Sequence, residues 1–387
     1  MTAPASRALA PDLARGAMLL AIACAHAPLF VLAVERGPAL ANGAALVLHE
    51  LFVGNQARPM FAFLFGYALT QTLDRRVARG ADPADAHALL RRRGWWLLAF
   101  GLVHTLIAPL DILAAYGLAS LLLMGLLRAR SATLLRVAGL ALVPGTVLSA
   151  VPLVLALSQG VSTFDIGSVA TPPGSDPGTL YLERLPGAPF ALAIGTVLVA
   201  PAVVAGMWAA RRRLLEEPEH NRALLVRAVV LTTAVSVAGA LPSILVQTGT
   251  WSAPSAAAQW STALLQPLTG YFGGVGMAGI VALVAIRASR GRGTLTTAVQ
   301  ALGQRSLTFY LLQSVVFLAV FSPAGLGWQD RLGLAGAFGV AAATWLASLA
   351  AADLMRRAGR RGPAEGLLRR LTRRAAPRDP RQAPSSA

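Results

Sequence analysis

Runs of about twenty apolar residues recur along this chain, and most of its charge is confined to the short gaps between them. Twenty residues of α-helix rise about 30 Å, the thickness of a bilayer's hydrocarbon core. No water is available there to satisfy backbone N–H and C=O groups, so a spanning segment of this kind must bond internally as a helix. Ten candidate spans can be read, near residues 13–34, 46–73, 94–109, 111–128, 133–158, 188–210, 224–247, 258–287, 297–321 and 331–355. The sequence predicts an all-α fold, a polytopic transmembrane helix bundle.

Arginine decides the orientation. Arg75, Arg76, Arg79 and Arg91 to Arg93 fill one gap, and Arg128, Arg130 and Arg136 another. Arg211 to Arg213, Arg222 and Arg227 follow, then Arg287, Arg290 and Arg292, and finally the tail from Arg356. The alternate gaps hold few basic residues, so ten spans with both termini cytoplasmic satisfy the positive-inside rule at every loop. The excess of 34 basic over 17 acidic residues is therefore read as a topology signal. Nucleic acid is not expected as a partner, because no basic face with interleaved aromatics appears. The lipid bilayer is the expected partner, and oligomeric state is not legible. With 55% hydrophobic and 13% charged residues, a large soluble core is excluded as the main reading. Cys24 is the only cysteine, which rules out a disulfide framework. The first apolar run is read as an uncleaved helix, since Ala21-Ile22-Ala23 before Cys24 fits a lipoprotein cleavage site poorly.

Residues 1–372 are expected to form a single integral membrane domain with an external loop at 159–187, rich in turn formers between Thr171 and Gly178. Residues 373–387 read as a basic, Pro-rich, disordered tail that favours anionic headgroups. The second span is irregular: His49, Glu50, Asn55, Gln56 and Arg58-Pro59 precede the cleaner run Met60–Leu73. Fourteen residues cover only about 21 Å, and proline removes a helix hydrogen bond, so a broken helix or an external amphipathic piece joined to a short span is expected. A tight external hairpin, Pro109-Leu110-Asp111, separates the third and fourth spans.

Polar groups inside membrane spans are costly and mark function. Pro11 to His26 carries Asp12 and Arg15 on one helix face and His26 about 21 Å further along. His26, His49 and His104 all fall in or beside the outer halves of spans, with Glu50 and Asp111 near them. A carboxylate that fixes a histidine's tautomer makes it a general base. The alternative is that each histidine only bridges helices. A three-histidine zinc site is chemically conceivable, but its spacing is unpatterned and no metal is expected. At the cytoplasmic end Asp12 and Arg15 either hold a phosphate-rich cofactor or simply close a helix terminus. Arg58, Gln313, Ser306, His49 and Glu50 are read as cavity-lining, and Arg58 requires a buried partner or a wet cavity.

Several stretches together resemble the YeiB-like family of bacterial inner-membrane proteins, domain-of-unknown-function family 418. They are Asp12-Leu-Ala-Arg15-Gly16, Arg58-Pro-Met-Phe-Ala-Phe-Leu-Phe-Gly66, and Gly101-Leu-Val-His104 leading to Asp111-Ile-Leu-Ala-Ala-Tyr116-Gly117. Gly303-Gln-Arg-Ser306-Leu-Thr308-Phe-Tyr310-Leu-Leu-Gln313-Ser314 and Arg361-Gly-Pro-Ala-Glu365 complete the set. The first span is also similar to the opening of the transmembrane acyltransferases of acyltransferase family 3, where D-x-x-R-G is followed by a histidine fourteen residues after the acid. Here that histidine is His26, where YeiB-like members usually carry asparagine; Pro11 and Ala14 depart from the YeiB-like lead.

The resemblance implies a multi-pass protein of the bacterial plasma (inner) membrane and an acyl group passing from acyl-CoA to a small or lipid-linked acceptor near the outer face. His26 or His104 would take the acceptor's proton with Asp111 as orienter, and Arg15 beside Asp12 would meet the donor's phosphates. No resident cofactor is implied; acyl-CoA enters as donor substrate. The alternative is a transporter or flippase-like carrier whose path is lined by Arg58, the histidines and Gln313.

Overall fold

The computed structural model describes residues 8–106, 108, 111–159, 164, 186–291 and 293–372. Most of the 159–187 loop, Pro109-Leu110 and the 373–387 tail lie outside the described residues. Thirteen α-helices are described: α1 Leu9–His26, continued by a 3-10 turn Ala27–Phe30, α2 Ala39–Phe52, α3 Gly54–Val77, α4 Pro83–Thr105 and α5 Leu113–Leu122. They continue as α6 Ser131–Gln159, α7 Ala188–Arg211, α8 Arg222–Gln247, α9 Ala256–Arg290, α10 Thr294–Gly303, α11 Ser306–Phe321, α12 Leu334–Arg357 and α13 Pro363–Thr372. Among the described residues there are no strands.

Six of these are long and apolar enough to cross a membrane: Leu9–Phe30, α6, α7, α8, α9 and α12. The pair α10 and α11 makes a seventh if counted together, bent by 85° between them. The remaining segments of the ten-span reading take other forms. Residues 46–73 divide at Val53 into α2 and α3, with Pro59 accommodated inside α3. The third segment belongs to a longer helix, α4, which starts at Pro83 behind the Asp82 cap and carries Arg91 to Arg93 within it. The fourth gives α5, only ten residues or about 15 Å, then a 3-10 stretch Met124–Arg128.

Side-chain contacts draw the arginine-bearing helix ends into one layer. Arg75 pairs with Glu216 at 3.2 Å and Arg290 with Glu219 at 3.1 Å. Arg211 donates to the Leu127 carbonyl at 2.7 Å and also to that of Ala129. At the other end the chain after α1 is tied to the start of α12, with Leu334 N donating to the Val34 carbonyl at 2.9 Å. Leu140, Leu231 and Phe190 stay largely exposed on α6, α8 and α7. Such an outward apolar belt is stable against hydrocarbon and unfavourable in water.

Inside, helices meet through small residues, as expected where lipid supplies no hydrophobic drive and close packing must do the work. A methyl built on Gly303 of α10 would overlap the Asp12 carbonyl of α1. One on Gly66 of α3 would overlap the Val203 carbonyl of α7. Tyr67, Tyr116, Phe309, Met18, Leu19 and Met60 fill the core between them.

Candidate functional site

The α4–α5 connection brings two polar groups back into the bundle. His104 lies in the last turn of α4, and Asp111 stands just before α5. Asp111 Oδ2 accepts the Ala114 N–H at 2.6 Å, so the carboxylate sits where the first amides of α5 and the helix dipole favour negative charge. Asp111 Oδ1 lies 2.7 Å from His104 Nδ1 and accepts the Tyr310 hydroxyl at 3.3 Å. The other imidazole nitrogen, Nε2, lies 2.9 Å from Ser314 Oγ. Tyr310 and Ser314 are four residues apart and share one face of α11. The side chains of His104 and Asp111 are 2% and 1% exposed, and Ser314 is equally buried.

For the neutral imidazole this order of groups selects one tautomer. A carboxylate accepts only, so Nδ1 carries hydrogen and Nε2 is left as the acceptor facing the Ser314 hydroxyl. Carboxylate, imidazole and hydroxyl form one continuous relay able to take a proton from an O–H group and return it. His26, at the end of α1, presents its ring edge to Tyr310 at 6.1 Å between centroids; His104 contacts the same ring at 5.1 Å. Half-buried His26 thus contacts the cluster through the tyrosine ring, and it lies close enough to Asp111 and His104 for their charges to act on it. Gln313 pins α11 to mid-α1 by donating to the Leu19 carbonyl at 3.0 Å. Its buried Oε1 has no partner among the described residues.

The other predicted site residues fall elsewhere. His49 and Glu50 lie in a second polar network. Glu50 Oε2 accepts from Ser243 Oγ at 2.8 Å and Gln266 Nε2 at 3.1 Å, and Oε1 faces His49 Nδ1 at 3.4 Å. Gln266 Oε1 accepts from Asn55, whose Oδ1 faces Arg58 Nη2 at 3.4 Å; the same Nη2 donates to Ser149 Oγ at 3.0 Å. Neutral groups therefore hold the half-buried Arg58, whose Nε has no partner among the described residues. Tyr116 donates to the Arg58 carbonyl at 3.4 Å, and both Arg58 and Asp111 lie close enough for their charges to act on its phenol.

At the arginine-rich end, Arg15 pairs with Asp12 at 3.2 Å, and Gln304 donates to Asp12 Oδ2 at 3.1 Å. Asp12 thereby fixes the junction of α10 and α11 to α1. Ser306 begins α11 about 12 Å before Ser314, beside Glu365, which accepts the Leu307 N–H at 2.8 Å; it does not join Gln313. A cavity of about 890 Å³ opens at this end, lined by Leu9, Ala10, Arg75, Arg211 and Glu216 among others. Arg75 is occupied by Glu216 and Arg211 by carbonyls, so it is not a ready-made phosphate cage. Among the described residues no three potential metal ligands converge.

Ser314 and Tyr310 were not singled out as site residues from sequence, although both lie in a stretch that carries the family resemblance. The available signal was a tyrosine and a serine at helical spacing on an otherwise apolar helix.

Residues 209–375 match the family model described as "Protein of unknown function (DUF418)". That stretch contributes Tyr310, Gln313 and Ser314 to the cluster, while His104 and Asp111 precede it. No curated protein and no solved structure matches the chain.

Proposed function

We propose that this member of the DUF418, YeiB-like family is a membrane-embedded acyltransferase, passing an acyl group from acyl-CoA to a hydroxyl or amine near the outer face. The observation that supports this reading is the Asp111–His104–Ser314 relay, a base already oriented by a carboxylate within a buried site. His104 takes the proton, and Asp111 holds its tautomer and stabilises the imidazolium. Among the described residues His26 makes no hydrogen bond to a carboxylate, although the Asp111 charge reaches its ring, so the proton-accepting role goes to His104, with His26 beside Tyr310. Arg15 meets the donor's phosphates by exchanging its Asp12 carboxylate for them. From Asp12 to Leu19, where Gln313 touches α1, is about 10 Å of helix, a separation suited to a thioester carried on a long arm. His49, Glu50 and Arg58 line the region that recognises a small or lipid-linked acceptor.

The reading includes ten spans and cytoplasmic termini in a bacterial inner membrane, with α2–α3, α4, α5 and α10–α11 supplying the segments beyond the six apolar helices. The shared layer of arginine-bearing ends supports it. In a Cys24→Ala background, Ala84→Cys should resist a membrane-impermeant maleimide in intact spheroplasts and react after permeabilisation. Ala324→Cys should react before it. The reverse pattern refutes the orientation.

One observation favours a carrier instead: helices broken at Val53 and bent by 85° between α10 and α11, a feature of midplane binding sites in transporters. Purified full-length protein incubated with acetyl-, butyryl- or palmitoyl-CoA decides between them. Free thiol release, with CoA found by mass spectrometry in the purified sample, supports the transferase. Flux of a co-purifying molecule across proteoliposomes without thiol release supports the carrier.

A further inference from the structure

We infer that Ser314 is the nucleophile, carrying the acyl group as an ester between donor and acceptor; this rests on the acyl-transfer reading above. The distinguishing observation is that its hydroxyl meets an imidazole. A serine or threonine within a helix commonly bonds back to the carbonyl of the preceding turn. In this bundle Thr105, Thr196, Thr232, Thr269, Thr344 and Ser348 all do so, at 2.7 to 2.9 Å. Among the described residues Ser314 makes no such bond, and neither do Ser149, Ser236 and Ser243, which meet Arg58, Gln56 and Glu50; Ser314 differs from them in that its Oγ meets an imidazole, His104 Nε2, from a helix 210 residues away in sequence. Two percent exposure keeps water from competing for that hydroxyl. Hydroxyl, imidazole and buried carboxylate are the elements of an activated nucleophile, with the base oriented by a third group.

The reaction balances in two steps. Ser314 Oγ attacks the thioester carbonyl as its proton moves to His104 Nε2; the C–S bond breaks, and the imidazolium protonates the departing sulfur to give free CoA. An acceptor hydroxyl then gives its proton to His104 and attacks the seryl ester. The bond to Ser314 Oγ breaks, and that oxygen recovers the proton. The sum is acyl-CoA plus alcohol giving CoA plus ester. A covalent carrier means that donor and acceptor, approaching from opposite ends of the bundle, need not occupy the site together.

The test uses detergent-solubilised full-length protein, a fluorophosphonate probe, and acetyl-, butyryl- and palmitoyl-CoA. Fluorophosphonate should label Ser314, mapped by peptide mass spectrometry, and one of the thioesters should leave an acyl group on the same residue. His104→Gln should slow labelling by about 10²- to 10⁴-fold with Ser314 still present. Ser314→Ala should abolish both adducts. Ser314→Cys should restore an acyl adduct that, unlike the ester, neutral hydroxylamine removes. Thiol release by Ser314→Ala at the wild-type rate, with no adduct on wild type, overturns the nucleophile but leaves acyl transfer standing. Labelling of Ser314 that is indifferent to His104→Gln also overturns it. Absence of both thiol release and adducts from folded wild-type protein overturns the inference together with the reading beneath it.

Discussion

Thiol release from acyl-CoA should fall by about 10²- to 10⁴-fold when His104 is replaced by glutamine. Glutamine is the informative choice because its amide can still face Asp111, whereas alanine would leave the buried carboxylate with only the Ala114 N–H and the Tyr310 hydroxyl, a change costly to folding by itself. Asp111→Asn should cost a comparable factor for a different reason. An asparagine amide can donate to Nδ1, favouring the tautomer in which Nε2 bears hydrogen and cannot accept from Ser314. The same replacement in serine proteases lowers kcat by about 10⁴. Asp111→Asn should in addition weaken the start of α5, because Oδ2 receives the Ala114 N–H at 2.6 Å. Thermal unfolding should be followed beside the rate so that the two effects separate. His87→Gln is the control: His87 lies in the first turn of α4, bonded to the Pro83 carbonyl at 2.7 Å, at the opposite end of the helix from His104. Equal losses in His87→Gln and His104→Gln, or full activity in a folded His104→Gln, would remove His104 from the chemistry.

Much of the bundle was legible because membrane helices announce themselves locally. The apolar runs at 133–158, 188–210, 224–247, 258–287 and 331–355 became α6 to α9 and α12 with ends shifted by a few residues. The second segment showed its irregularity through Arg58-Pro59, yet the break falls earlier, at Val53. Pro59, the sixth residue of α3, removes one backbone donor, and the helix continues through it. His104 and Asp111 could be paired from sequence because only a short connection separates them. Ser314 could not: its partner comes from a different hairpin, and no local period encodes such a meeting. His49 and Glu50 shared an apparent depth with the other histidines, but depth says nothing about azimuth. Helix α2 turns them towards Ser243 of α8 and Gln266 of α9. The requirement that Arg58 be held by something was readable; that Ser149 and Asn55 would hold it was not.

Alanine at Gly303 should destabilise the bundle by about 1–3 kcal/mol or more and take activity with it. Here α1 and α10 touch backbone to backbone. The added methyl would overlap the Asp12 carbonyl and lie 2.9 Å from the Gly16 nitrogen, and neither atom can rotate aside as a side-chain end would. Relief requires α10 to move away from α1. That movement stretches the 3.1 Å bond from Gln304 to Asp12. Only two residues separate α10 from α11, so the displacement also reaches Tyr310 and Ser314. The loss of stability and of relay geometry thus have one cause. Gly43→Ala, in the interior of α2 with no heavy atom within 4 Å of the new methyl, should behave oppositely. There the substitution only removes glycine's excess freedom and should stabilise the helix by roughly 0.5–1 kcal/mol. The measurement is the unfolding midpoint in detergent for both variants, read through tryptophan fluorescence. Trp345 is a suitable reporter, because its Nε1 donates to the Gly16 carbonyl at 2.9 Å beside the contact being tested. Should both variants unfold at the wild-type temperature, the close approach of α1 and α10 is not what fixes α11, and the relay must be positioned by the α4–α5 hairpin alone.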